Sequence, residues 1–507
     1  MSRTDELYSE LTRLLRETAV LGSCSSVLGW DEQTFMPRGG AQFRSEQLGM
    51  IAGMTHERAT SPRIGELLSE LEASGDLGDP DDDRAVNVRE ARRSFTRATK
   101  LPRRLVEELS RTTTLAQQAW MKAREDAEFP VFLPWLEKMI GLKREEAQAI
   151  GYGNGVPYDA LLDDYEPGMT TAEVASVFGP LRDELVKLVS AIHHSPRRPK
   201  VEILERHYPK TPQIVVSEAA SKSIGFDFAR GRIDASAHPF CSGFGPGDCR
   251  LTTRYNDHHF PSAFFGVLHE SGHGIYEQGL PIDSFGLGIG QADSLGIHES
   301  QSRMWENFVG RSRPFWNYMY PTVQQAFPVA LGQVGFEDFY FAINDVRPSF
   351  IRVEADEVTY NLHIMLRFEM EQLLIADDLQ PADVPGVWNE KFSQYFGLAV
   401  PNDSQGCLQD IHWSAGFLGY FPTYALGNMY SAQFFEAAKR DLGDLDGAFS
   451  AGQFRPLKEW LNDKIHRHGK RYPAKRLVEM VTGESLSHKP LITHLQQKFG
   501  DLYGLTI

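Results

Sequence analysis

Apolar residues recur at three- and four-residue spacing along most of the chain. Near the start Leu7, Leu11, Leu14, Leu15 and Leu21 share one face, with Arg13, Arg16 and Glu17 opposite. The spacing predicts an amphipathic surface helix from Thr4, with Thr4 as its cap. W-D-E-Q-T-F-M-P-R-G-G-A then reads as a turn region around Pro37, Gly39 and Gly40. Helical patterning resumes at about 44–57, 64–71, 84–99, 105–125, 132–150 and 171–192, with Thr170 or Thr171 capping the last ahead of Glu173. Residues 75–83 form an acidic, glycine- and proline-containing loop, and Pro102 marks a break. Between Ile233 and Tyr255 the character changes: turn residues crowd together, then Arg250 to Tyr255 alternates as a strand does. A small β-sheet is expected there, just ahead of the next helix. The fold class expected is therefore mainly α, as one domain over residues 1–507, with a helical part to about 230, a central part from about 231 to 430 and a helical part from about 431.

The helix that follows the sheet, F-F-G-V-L-H-E-S-G-H-G-I-Y-E-Q from Phe264 to Gln278, carries chemistry. His269 and His273 are four residues apart and so project from one face, where two imidazoles grip one ion. Glu270 lies at the edge of that face, within reach of an activated water without being a ligand. A catalytic ion wants a third protein ligand and an open position. Glu299, in G-I-H-E-S-Q-S-R-M-W-E-N, is that ligand, with His298 beside it as the rival. The set predicts one divalent ion per chain, zinc first and cobalt second.

Composition narrows the partners. A net charge of −16 opposes nucleic acid and anionic membrane surfaces, so the basic H-H-S-P-R-R-P-K stretch reads as an exposed loop. No apolar run approaches the ~20 residues of a membrane span. The N-terminus lacks the apolar core of a signal peptide, and four scattered cysteines suit a reducing compartment. A cytoplasmic protein with packing thiols is expected.

Three later places hold candidate side chains. Arg347 and Arg352 lie near Glu354, Asp356 and Glu357, as an ordinary helical ion-pair network or as a fork for a substrate carboxylate. Asp410, His412 and Trp413 crowd near a turn, and Tyr420 and Tyr424 sit in an aromatic run. His412 and Tyr420 are candidates to stabilise an oxyanion. A buried terminal carboxylate needs a cation, and Arg250 or Arg352 is the candidate.

Six stretches in order, H-P-F (His238 to Phe240), D-x-R-x-T (Asp248 to Thr252), H-E-x-x-H (His269 to His273), H-E-S-Q (His298 to Gln301), I-R-x-x-A-D (Ile351 to Asp356) and G-x-x-Q-D-x-H-W (Gly406 to Trp413), resemble the carboxypeptidase Taq family of metallocarboxypeptidases. The resemblance implies a large helical fold with a deep central cleft. It also implies a zinc-type ion on His269, His273 and Glu299, Glu270 as general base, and His238 among the substrate-binding residues. A cytoplasmic homodimer that removes C-terminal residues from peptides with broad tolerance is the expectation. A gluzincin oligoendopeptidase and an inactive peptide-binding homologue are the alternatives.

Overall fold

Ser2, not Thr4, opens the first helix of the computed structural model, which describes residues 2–505. The Ser2 hydroxyl accepts the Asp5 N–H at 3.1 Å, and Asp5 returns a bond to the Ser2 N–H, so a capping box outcompetes the threonine. The helix, α1, runs Arg3–Thr34, and W-D-E-Q-T, expected in a turn, is its last helical stretch. It is followed by α2 (Ala41–Ala59), α3 (Pro62–Ser74) and α4 (Asp83–Lys100). Leu7 and Leu11 of α1 pack with Ile64, Leu67, Leu68 and Leu71 of α3 and with Val88 and Ala91 of α4. Each buried leucine contributes about 1.5–3 kcal/mol, which selects the face that turns inward. Thr170 caps Thr171–His194, again with a capping box to Glu173.

Backbone packing groups the chain into two compact units, each assembled from three stretches. The first takes Met1–Thr99, Lys200–Ile343 and Phe434–Gly483; the second takes Lys100–Pro199, Asn344–Gln433 and Glu484–Ile507. The expected sheet lies in the first unit as β1 (Gly231–Ala235), β2 (Cys241–Gly245) and β3 (Asp248–Thr253), in the order β1-β3-β2. Strand β3 pairs parallel to β1 and antiparallel to β2, so β2 is an edge. Cys249, Leu251 and Thr253 alternate onto the face that meets the next helix, α5 (Phe260–Gly279). Past α5 comes α6 (Leu295–Arg303).

In the second unit α7 (Thr359–Ala376) is buried almost all round, as its lack of a polar stripe requires. The C-terminal helix Lys489–Tyr503 is held to Glu357 by Lys498 Nζ at 2.5 Å and His494 Nε2 at 3.1 Å. No helix of the described residues is long and apolar enough to cross a membrane.

Candidate metal centre

The apolar run that opens α5 buries Phe260, Phe264, Phe265, Val267 and Leu268, which fixes the roll of the helix. Gly272 then sets its distance from α6: a Cβ there would lie 2.4 Å from the Gln301 carbonyl oxygen and 2.6 Å from Ser302 Cα. Only glycine permits that approach, and the approach brings Glu299 over the two imidazoles. Glu299 Oε2 is 3.7 Å from His269 Nε2 and 3.4 Å from His273 Nε2. Ligands at about 2.0–2.1 Å in tetrahedral array stand roughly 3.3 Å apart, so the three atoms fit one small divalent ion. Among the described residues this is the one group of three donors so convergent.

Each donor is held from behind. His269 Nδ1–H donates to Glu306 Oε2 at 2.9 Å, and His273 Nδ1–H to the His298 carbonyl at 3.1 Å, which turns both Nε2 lone pairs toward Glu299. Arg303 bridges Glu299 Oε1 at 2.7 Å and Glu306 Oε2 at 2.9 Å. Glu306 reaches back because a π-helical turn, Met304–Val309, continues α6 with an extra residue per turn. The rival His298 is turned away: its Nε2 meets Glu277 Oε1 at 2.9 Å and its ring stacks on His273 at 4.5 Å.

The electrostatics suit a cation. Burial disfavours charge on Glu299 and Glu306, but Arg303 and the histidines outweigh it and hold both carboxyls below their usual range, Glu306 at about 2. Burial also works against a charged His269, yet Glu299 and Glu306 raise it; burial and His298 push His273 down to about 3. An ion therefore meets a neutral His273, and at His269 it competes with the proton that the two acids favour. Glu270 is 7% exposed, and burial pushes its carboxyl up to about 7.

A family model described as carboxypeptidase Taq (M32) metallopeptidase matches residues 10–499. The chain belongs to that family. It is 45% identical over 505 residues to thermostable carboxypeptidase 1 of Thermus thermophilus, covering 98% of this chain and 99% of that one. Carboxypeptidase 1 of Bacillus subtilis is 37% identical over 496 residues, covering 98% of each. The crystal structure of an M32 carboxypeptidase from Deinococcus radiodurans R1 superposes with a TM-score of 0.96 at 38% identity, covering 99% and 100%. This M32 chain is a peptide hydrolase, and its family is metal-dependent.

The remaining candidates of the M32 chain are spread over both units. In the first, Arg250 of β3 lies on the sheet face away from α5, forked onto Asp248 at 2.8 and 2.9 Å and over the Trp30 ring at 4.2 Å. His238 is exposed, and its carbonyl accepts the Ser236 hydroxyl. In the second, the expected helical network around Arg352 is replaced by long-range pairs, because Arg352–Glu354 is a 3₁₀ turn and Asp356 turns inward to cap Thr359. Arg352 instead forks Asp410 Oδ1 at 2.8 and 3.0 Å and meets the Tyr360 hydroxyl at 3.0 Å. Arg367, which sequence reasoning missed, joins the same carboxylate at 2.7 Å. His412 is pushed down to about 4 by burial, and its Nδ1 finds no hydrogen-bond partner among the described residues. Its ring lies 5.5 Å from that of Tyr420. Glu306 and Arg303 were also missed; their spacing of seven and four residues from Glu299 was the available signal.

Proposed function

We propose that the chain is a zinc-type carboxypeptidase that removes C-terminal residues from peptides of broad sequence, with Glu270 as general base. The convergence of His269, His273 and Glu299 beside a buried Glu270 carries this reading. When bound, the ion acidifies water and polarises the scissile carbonyl. Glu270 takes the proton of the attacking water and then delivers it to the departing amine, a task for which a carboxyl raised toward neutrality suits both directions. Glu306 and the His298 carbonyl keep the two imidazoles oriented throughout.

The developing oxyanion needs a donor, for which His412 and Tyr420 are proposed. For the terminal carboxylate the proposal favours Arg352 over Arg250. Arg250 is matched one-to-one by Asp248, whereas Arg352 and Arg367 share the single carboxylate of Asp410 and so keep an unmatched positive charge. His238 is retained as a substrate contact. Peptides are the proposed partners of a cytoplasmic homodimer, and the net charge of −16 disfavours nucleic acid and anionic membranes.

Digestion of a mixed peptide set, with and without a chelator and read by mass, tests the reading. Stepwise loss of C-terminal residues that the chelator abolishes, and that C-terminal amidation blocks, is the expected result. Internal cleavage of amidated peptides would favour the oligoendopeptidase instead.

A further inference from the structure

Two of the four cysteines, spaced too far apart in sequence to read as a pair, meet in the sheet. Cys241 opens β2 and Cys249 lies in β3, and their sulfurs are 3.6 Å apart. The register pairs Cys241 with Leu251 and Gly243 with Cys249, so all four residues share one face of the antiparallel ladder. That face lies on α5. A Cβ at Gly243 would be 2.7 Å from Glu277 Oε2, and Leu251 Cδ2 is 3.0 Å from the Cβ position of Gly274.

The two thiols differ in freedom. Cys249 is 4% exposed and belongs to the central strand, paired on both sides. Cys241 is partly exposed on an edge strand whose ladder already slips between Gly243 and Gly245. A disulfide needs the sulfurs about 1.5 Å closer than they stand. The edge strand supplies that movement, and Gly243, two residues along it, is carried with it. Gly243 abuts Glu277; Glu277 holds His298; His298 stacks on His273 and accepts its Nδ1–H.

We propose that Cys241 and Cys249 are a redox-responsive dithiol that hydrogen peroxide closes into a cross-strand disulfide, lowering peptidase activity by pressing β2 against Glu277. Cys241 sulfur attacks one peroxide oxygen, the O–O bond breaks, and a sulfenic acid and one water form. Cys249 sulfur then attacks the sulfenic sulfur, the S–O bond breaks, and a second water leaves. Two thiols and one peroxide thus give one disulfide and two waters, the two sulfurs losing two electrons to the peroxide oxygens. The contact with Cys249 holds the Cys241 thiol above its ordinary range, so closure answers sustained oxidant and not a trace of it.

The test uses the full-length, metal-loaded protein exposed to hydrogen peroxide, then iodoacetamide and trypsin. Both thiols fall in one tryptic peptide, Ile233 to Arg250. The expected product is that peptide, lighter by two hydrogens and unalkylated, with kcat/KM at least severalfold lower and both changes reversed by dithiothreitol. Cys241→Ser should hold its activity under the same oxidant, and Cys249→Ala serves as the second variant. Doubly alkylated peptide, or Cys241 recovered as a sulfinic acid, overturns the proposal. So does a closed disulfide with unchanged kcat/KM, or an equal activity loss in Cys241→Ser.

Discussion

Around α5 and α6 three buried or partly buried carboxylates, Glu270, Glu299 and Glu306, face two guanidiniums, Arg303 and Arg311, and two imidazoles, of which the acids favour charge on His269 while His273 is held neutral. Around Asp410 two guanidiniums, those of Arg352 and Arg367, 6% and 1% exposed, converge on one carboxylate. The nearby Glu371 is pushed up to about 7 by burial and accepts Tyr158, Trp413 and Gly419 in place of either arginine. Arg250, by contrast, closes one-to-one with Asp248. A folded chain tolerates a buried charge only when it is matched. The two networks thus differ in kind: donors fit for a cation converge between α5 and α6, whereas two guanidiniums converge on Asp410.

Five substitutions test that contrast. The largest effect is expected from Glu270→Gln, which keeps the shape and removes the carboxylate proposed as base. Its kcat should fall about 10²–10⁴-fold at unchanged metal content by elemental analysis, and a near-normal kcat would remove Glu270 from the role. Asp410→Asn leaves two buried guanidiniums without a counter-charge and should cost about 3–5 kcal/mol in denaturant unfolding at pH 7. Although burial raises the Asp410 carboxyl, Arg352 and Arg367 outweigh it and hold it far below its ordinary value. A depressed carboxyl stabilises fully above its unfolded value of about 3.9 and loses that contribution as pH falls below it. The difference between wild type and Asp410→Asn should therefore shrink at pH 3; an unchanged gap would show that the charge is not its source.

Arg352→Ala should weaken the preference for free-acid over amidated peptides by about 2–5 kcal/mol in kcat/KM. Arg250→Ala should leave that ratio alone, and the opposite pattern would move the carboxylate site to β3. The smallest effect is expected from Glu306→Gln, which loosens His269 without removing a proposed ligand. Metal affinity measured by chelator competition should drop about 10–100-fold. No change would mean that the packing of α5 holds the imidazole unaided.

Helices α1, α3 and α4 were legible because each buries one apolar stripe, and a stripe is a local property of spacing. His269, Glu270 and His273 were legible for the same reason, since one helical turn fixes their relation. Glu299 could be named as a partner from residue type and distance along the chain. That it meets the imidazoles depends on Gly272, whose missing side chain lets α6 run close against α5. The boundaries that failed, Ser2 over Thr4 and the helical W-D-E-Q-T, turned on one capping bond and on burial of Trp30. Sequence by itself thus determined the helical class, the small sheet and the helix face that His269 and His273 share, because periods of two and 3.6 act over a few residues. Tertiary structure alone decided that Arg352 meets Asp410 and not its neighbouring acids, that Arg367 joins it, that His298 turns to Glu277, and that Cys241 meets Cys249. Those partners lie far apart in the chain or across a strand register, and only the packing of separate elements brings them together.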